Sequence, residues 1–248
     1  MFGQNPYLRV VLVVLGLAFF SGCTTYQIIP HQKDFWTNHN QSIGVAVAPI
    51  PTPVSHKAGS QGLLDLAINN ANSSDLDKHL GTMDVSDKIN KLADDLVAYL
   101  NERNFNAKRI SGYVKDWTIN NETPEQQDDE FGSDKKSGES AAAVPAAAKK
   151  IANEHGVDKL LLISVNAVGT IRSYYGFIPT SSPEGYAHID GKLMNLKNNK
   201  VEWEHFNAAK VPYTTTEWDT PPDFPGLSEA MQKAVDDADL VIYNHFIQ

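Results

Sequence analysis

The sequence predicts an α/β fold: a single domain in which a mixed sheet of about five strands carries three main helices packed on it. Three observations predict it. Strand-like and helix-like segments alternate along the chain and end in two consecutive strands and a helix. The run Leu160 to Val168 is so apolar that a strand built from it must be covered on both faces. Val85, Ile89, Leu92, Leu96 and Leu100 recur at spacings of four, three, four and four, which lines one face of a helix.

Each element has its own justification. Ile43 to Ile50 is a short apolar run closed by Pro49 and Pro51, and reads as a buried strand. The connection 51–84 is polar, with Gly59, Gly62, Asn69, Asn70 and Asn72. Within it, Leu63 to Ile68 has room for one helical turn or two. A connection this long is either functional or disordered. The helix over 85–100 can be capped by Asp84 or Ser86, and Asp87 suits the positive end of its dipole. Asn104 to Ile110 turns into a second strand.

Residues 118–140 carry Glu122, Glu125, Asp128, Asp129, Glu130, Lys135 and Lys136 with almost no apolar side chains, which predicts a disordered, solvated loop. Ser140 opens an Ala-rich helix through Val144, Ala148, Ile151 and Ala152, with Pro145 in its first turns and Gly156 as its C-cap. Tyr186 to Leu196 and Lys200 to Val211 are strands around the turn Lys197–Lys200, where Asn tolerates positive φ. A C-terminal helix over about 226–246 aligns Leu227, Met231, Val235, Ala238 and Ile242.

The N-terminus follows a different grammar. Met1 to Arg9 is polar with one positive charge, Val10 to Phe20 is apolar, and Ser21-Gly22 precedes Cys23, the only cysteine. The apolar run is too short for a membrane span, which needs about 20 residues. Residues 1–22 therefore read as a signal peptide and 23–41 as a lipid-anchored tether containing Tyr26, Phe35 and Trp36. Residues 42–248 form the α/β domain, with inserted loops 51–84 and 118–140.

The small-small-Cys ending resembles a bacterial lipobox, although Phe20 stands where Leu is usual. The resemblance implies that Cys23 is lipidated with acyl chains such as palmitate and becomes the first residue of the mature protein. Thr24, in place of an acidic residue, is similar to the outer-membrane sorting pattern, facing the periplasm. An ordinary secretory signal beside an incidental cysteine, or an uncleaved anchor, is the competing reading. The net charge of −9 disfavours phosphate backbones and anionic lipid surfaces, so no nucleic acid is expected. Membrane attachment then falls to acyl chains, at about 0.8 kcal/mol per buried CH₂.

No nucleophile elbow, paired zinc histidines, phosphate loop or dinucleotide fingerprint is present, so neither catalytic residues, a metal nor a cofactor is expected. Asp94 and Asp95, like Asp236, Asp237 and Asp239, read as solvated helix faces. The segment Arg172 to Tyr186 stands apart, with four aromatics, two Pro and two Gly between strands. Rigid aromatic surface suits partner binding, which nominates Tyr174, Tyr175, Phe177, Ile178 and Tyr186, with Trp218 from a second aromatic stretch. The alternative is a loop folded back to bury its own aromatics.

The order of elements resembles the envelope domain shared by the TolB N-terminal part, the curli-export lipoprotein CsgG, PelC and the LpoB-type activators of penicillin-binding proteins. Val45 to Pro49 matches its first strand and Ala93 to Leu100 its first helix. Ala147 to Val165, with the junction His155 to Asp158, is similar to its second helix and third strand, and Lys192 to Trp203 to its hairpin. The 51–84 and 118–140 insertions depart from it, and no pair of transmembrane strands is evident.

The resemblance implies a non-enzymatic structural or accessory subunit of an envelope assembly, such as a secretion or surface-export apparatus. It would contact other envelope proteins or a second copy of itself. Two alternatives stand beside it: a regulator of peptidoglycan synthesis, and a periplasmic hydrolase or carbohydrate-binding module using Glu202 or Glu204 with Asp190.

Overall fold

The computed structural model describes residues 28–111, 144–213 and 222–248. In chain order they form β1 (Ser42–Val47), β2 (Val54–Ala58), α1 (Leu63–Asn72), α2 (Ser74–Leu80), α3 (Ser86–Glu102) and β3 (Asn106–Arg109). Then follow α4 (Ala146–His155), β4 (Lys159–Tyr175), β5 (Ile178–Pro179), β6 (Glu184–Asn195), β7 (Lys200–Pro212) and α5 (Pro225–Ile247).

The strands make one mixed sheet. Its continuous path is β3-β1-β4-β6-β7, which matches the five-strand expectation, and β2 and β5 attach to β4 outside that path. β4 organises the whole. β1 runs parallel to its first half, Ile43 opposite Lys159, and β2 runs parallel to its second half, Val54 opposite Gly169. β6 lies antiparallel along its other edge, and β7 pairs antiparallel with β6.

The pleat of β4 sorts its apolar run between two cores. Leu161, Ile163 and Val165 join the core that contains α3 and α5, while Leu160 and Leu162 join Ala148 and Ala152 of α4 on the opposite face. Both faces are covered, as the composition of that run requires. Burying each of these leucines contributes about 2 kcal/mol. The helix stripes behave as the periodicity predicts: Ile89, Leu92, Leu96 and Leu100 of α3 are buried, as are Leu227, Met231, Val235, Ala238 and Ile242 of α5. The Ala-rich helix starts at Ala146, so Val144 and Pro145 precede it instead of lying in its first turns, and Pro145 takes the N-cap position, where its missing N–H costs nothing. Gly156 ends it at φ 58°.

The 51–84 connection is more ordered than expected: α1 extends the helical turns foreseen at Leu63 to Ile68, while β2 and α2 were not foreseen. β2 reads Val-Ser-His-Lys-Ala and has no apolar alternation of its own. Its pairing is conferred by β4. Gly169, at φ 140°, lets the two backbones close, since a Cβ there would lie 1.8 Å from the Val54 carbonyl oxygen. The predicted 118–140 loop falls outside the described residues.

The described part of the tether is docked on the sheet. Ile29 makes a two-bond bridge with Glu204 on β7. Phe35 is buried and stacks on Phe105 at 5.2 Å and on His31 at 4.6 Å. The His31 Nε2–H donates to the Phe246 carbonyl at 2.6 Å, and its ring stacks on Trp203 at 5.6 Å. Residues 28–39 thus form an aromatic clasp over one end of the sheet.

Candidate functional site

The far halves of β4 and β6, with β2 and its two helices, build the second end of the molecule. β4 reverses into β5 through Gly176 at φ 60°, setting Tyr175 opposite Ile178. The reversal is moored to α1. Asn69 donates its amide to the Gly176 carbonyl at 3.1 Å and to Gln61 Oε1 at 2.7 Å, and the Gly176 N–H donates to the Ser60 carbonyl.

Mooring through a polar residue turns α1 inside out. Its one buried side chain is Asn69, while Leu63 is 90% exposed and Leu64 is 74% exposed. Leu66 and Ile68 are exposed too, as are Tyr175, Phe177 and Ile178 on the neighbouring turn. Exposed apolar side chains thus gather on α1 and on the turn that is moored to it. A ten-residue helix has little stability of its own, so the mooring and any covering surface must hold it.

Beneath this tip lies a cleft of about 320 Å³ between β2, α1, α2, the β4–β5 turn and the start of α5. Tyr174, Phe177, Phe224 and Leu227 make its apolar side, and Lys57, Arg172, Asn69 and Thr170 its polar side. Lys57 is buried; its Nζ donates to the carbonyl and hydroxyl oxygens of Ser55 at 2.8 Å and lies 3.7 Å from Asp77. Asp77 accepts from the Ser55 N–H and hydroxyl at 2.6 Å and from the Ser73 hydroxyl at 2.9 Å. Burial pushes the Asp77 carboxyl up, but the Ser55 and Ser73 bonds and the Lys57 charge together hold it below the usual carboxylate range. Burial pushes the His56 imidazole below its ordinary value, against the opposing Val168 carbonyl contact, so His56 is neutral at pH 7. Arg172 donates Nε–H to the Ser181 carbonyl at 2.9 Å.

The nominated residues divide. Tyr174 and Phe177 line the cleft, and Tyr175 and Ile178 stand on the exposed tip. Tyr186 is 3% exposed and packs among Ala167 and Ile171, with its ring edge on His56, so it belongs to the interior. Strand alternation explains this, because Tyr186 lies within β6 opposite Gly169 rather than in the turn. Cys23 and Trp218 lie outside the described residues.

The carboxylates of the hydrolase alternative do not converge. Glu202 binds Lys159 at 2.6 Å and Asn195 at 2.7 Å, Glu204 binds Lys192 at 2.8 Å, and Asp190 accepts from Asn166 at 2.6 Å. A strand irregularity between Leu193 and Met194 takes Glu202 out of the alternation, while Glu204 stays on the face of Asp190 and is taken up by Lys192. Of the three α5 aspartates, Asp236 pairs with Lys88 and Asp237 with Lys233. Asp239 is instead half-buried, and burial, helped by the Asp236 charge, raises its carboxyl to about 7. The α1 leucines were the part of the site that sequence reasoning missed. Leu63, Leu64, Leu66 and Ile68 cannot all face one core from a single helix, and that crowding was the available signal.

No family model matches the chain, and neither does any curated protein. Solved structures with a distant likeness include a hypothetical protein from Chlamydia trachomatis, with 8% identity and a TM-score of 0.38 over 83% of this chain and 95% of that one. Lipoprotein GNA1162 from Neisseria meningitidis has 14% identity and a TM-score of 0.27, covering 79% of this chain and 96% of its own. The PelC dodecamer from Paraburkholderia phytofirmans has 10% identity and a TM-score of 0.31, covering 88% of this chain and 92% of its own. PelC is one of the proteins that the order of elements resembles.

Proposed function

We propose that this chain is a lipid-anchored, non-enzymatic protein of the bacterial envelope, held at the outer membrane through Cys23 and facing the periplasm. It serves as a structural or accessory subunit of an envelope assembly, of the secretion or surface-export kind, by docking another envelope protein on α1 and the β4–β5 turn. The observation that carries the reading is the exposed apolar tip: Leu63, Leu64, Tyr175, Phe177 and Ile178 on one moored unit.

The position of the clasp supports a protein rather than the anchoring bilayer as the occupant. Cys23 precedes Ile29 by six residues, a reach of about 20 Å when extended. Register carries Ile29 through Glu204 and Lys192 to Leu162, and Tyr175 lies thirteen residues further along β4, about 40 Å away. The tip therefore lies far from Ile29, where the described chain joins β7. α1 also has Asp65 as its one charged residue and no Lys or Arg, unlike helices that settle on anionic lipid.

Two variants test the two halves of the reading. Cys23→Ser is expected to release the protein from membranes into the soluble fraction; continued membrane binding contradicts the anchor. Leu64→Asp combined with Phe177→Asp is expected to remove the principal partner from a crosslinked pull-down of native membranes. An unchanged partner set contradicts docking at the tip, and transfer of the double variant off lipid vesicles would assign the tip to the bilayer instead.

A further inference from the structure

We propose that a bulge in β4 carries a site for one zinc ion, held by the His188 imidazole, the Asp190 carboxylate and the Asn166 amide oxygen. The site is separate from the tip and from the cleft beneath it. His188 and Asp190 are two residues apart on β6, so they share a face. That face points away from α5, because Ala187 and Ile189 belong to the core that α5 covers. On β4, Val165 pairs with Ile189 and Ala167 pairs with His188, which leaves Asn166 as an extra residue between them. The bulge brings the Asn166 side chain onto Asp190, where its amide donates to Oδ2 at 2.6 Å.

The other polar atoms of this cluster are unmet. Among the described residues, His188 Nδ1 and Nε2, Asp190 Oδ1 and Asn166 Oδ1 are shielded from solvent and have no hydrogen-bond partner. His188 as a whole is 8% exposed. A buried polar atom left unpaired costs about 1–3 kcal/mol, so several in one place call for a bound group. His188 Nε2 lies 3.2 Å from Asp190 Oδ1 but is not aligned for a hydrogen bond. An ionised carboxylate and an amide oxygen only accept, and with a ring nitrogen beside them they offer lone pairs to a cation.

Spacing and ligand type both select zinc. Bonds of about 2.0–2.1 Å to a tetrahedral ion set neighbouring ligand atoms about 3.3 Å apart, whereas square-planar or octahedral shells bring them to about 2.9 Å. The His188–Asp190 separation of 3.2 Å fits the first. Calcium and magnesium take oxygen shells, while an imidazole suits zinc. The nearest cation on the same face, Lys192, is held by Glu204 at 2.8 Å. The Asp190 side chain keeps 18% of its surface exposed, which gives the ion an entry and leaves solvent to fill the fourth position. The bulge lies between the half of β4 paired with β1 and the half paired with β2, so the ion pins the two halves to β6. Spacing along the chain hides this set, because one ligand comes from β4 and two from β6.

The test uses residues 23–248 carrying Cys23→Ser, stripped of metal with a chelator and titrated with zinc chloride by calorimetry. The expected result is one ion per chain and a higher unfolding temperature in its presence. Cobalt(II) in place of zinc is expected to give the strong visible absorption of a tetrahedral shell. His188→Gln and Asp190→Asn keep side-chain size, and each is expected to weaken zinc binding at least about tenfold with an amide NMR spectrum unchanged away from the bulge. His245→Gln, whose exposed ring stacks on His205 at 3.8 Å on the α5 side, leaves zinc binding as it was. Failure to bind one ion per chain overturns the proposal. So does binding that survives His188→Gln and Asp190→Asn, or that is lost with His245→Gln, and so does the weak absorption of octahedral cobalt.

Discussion

The clasp of residues 28–39 and helix α1 are opposites in composition and in fate. The clasp mixes Gln, His, Lys, Asp and Asn with two aromatics and has no period, yet Phe35 is 3% exposed. α1 carries three leucines and an isoleucine in ten residues, yet it leaves them in solvent and buries an asparagine. Burial followed the availability of a complementary surface. Phe105, Trp203 and Phe246 offer the clasp a ready aromatic socket, whereas the edge reached by α1 offers backbone carbonyls and amides. The segment held by apolar contact serves stability. The segment held by hydrogen bonds keeps its apolar side for something else.

The largest effect that would break this contrast is in the clasp. Phe35→Ala is expected to cost about 3 kcal/mol of unfolding free energy in urea denaturation, from lost burial and the cavity left against Phe105; a cost near zero would show that the clasp is decorative.

Acid should act on the same place. Burial lowers the His31 imidazole from 6.5 to about 4, against the Phe246 carbonyl bond. The folded value lies below the free value, so protonation favours unfolding. The His31 contribution is complete above pH 6.5 and is lost as pH falls toward 4, amounting to about 2 kcal/mol once partial solvent screening is counted. His31→Gln should reduce the proton uptake on unfolding between pH 6.5 and 4 by about one; an unchanged pH profile would remove His31 from the account.

An effect of opposite sign and comparable size sits on α5. The Asp239 carboxyl, raised to about 7 from 3.8, favours the fold when protonated, and that contribution is lost as pH rises from 3.8 through 7. Asp239→Asn should therefore stabilise by about 2 kcal/mol at pH 8 and leave stability at pH 3 unchanged, as measured by thermal unfolding. Equal effects at both pH values would contradict the assignment.

The smallest expected effect sharpens the contrast most. Leu63→Ser with Leu64→Ser should move stability by no more than about 0.5 kcal/mol, although the same change placed in the clasp would be severe. A large loss would mean that α1 is part of the core after all.

Much of the fold was legible. The faces of α3 and α5 and the double burial of β4 follow from apolar spacing, and Gly156 and Asn199 take up the positive φ that a C-cap and a tight turn demand. β2 was illegible because its side chains carry no strand pattern, and its partner half of β4 is far away in sequence. The site was half legible. Its aromatics in the β4–β5 turn stood out, but Tyr186, at the border of that segment and the next strand, was settled as interior only by its pairing opposite Gly169, and Lys57 and Asp77 gave no hint that β2 and α2 would bring them together.

The chain alone determined which segments become the sheet and which helix faces cover it, because those choices depend on local period and on apolar area that must leave water. Tertiary structure decided what period cannot encode: that a polar strand would pair with β4, that an aromatic leader would clamp the base, and that an apolar helix would hang by Asn69 with its leucines outward. These depend on contacts between residues far apart in sequence, where burial is granted by the partner surface and not by the segment itself.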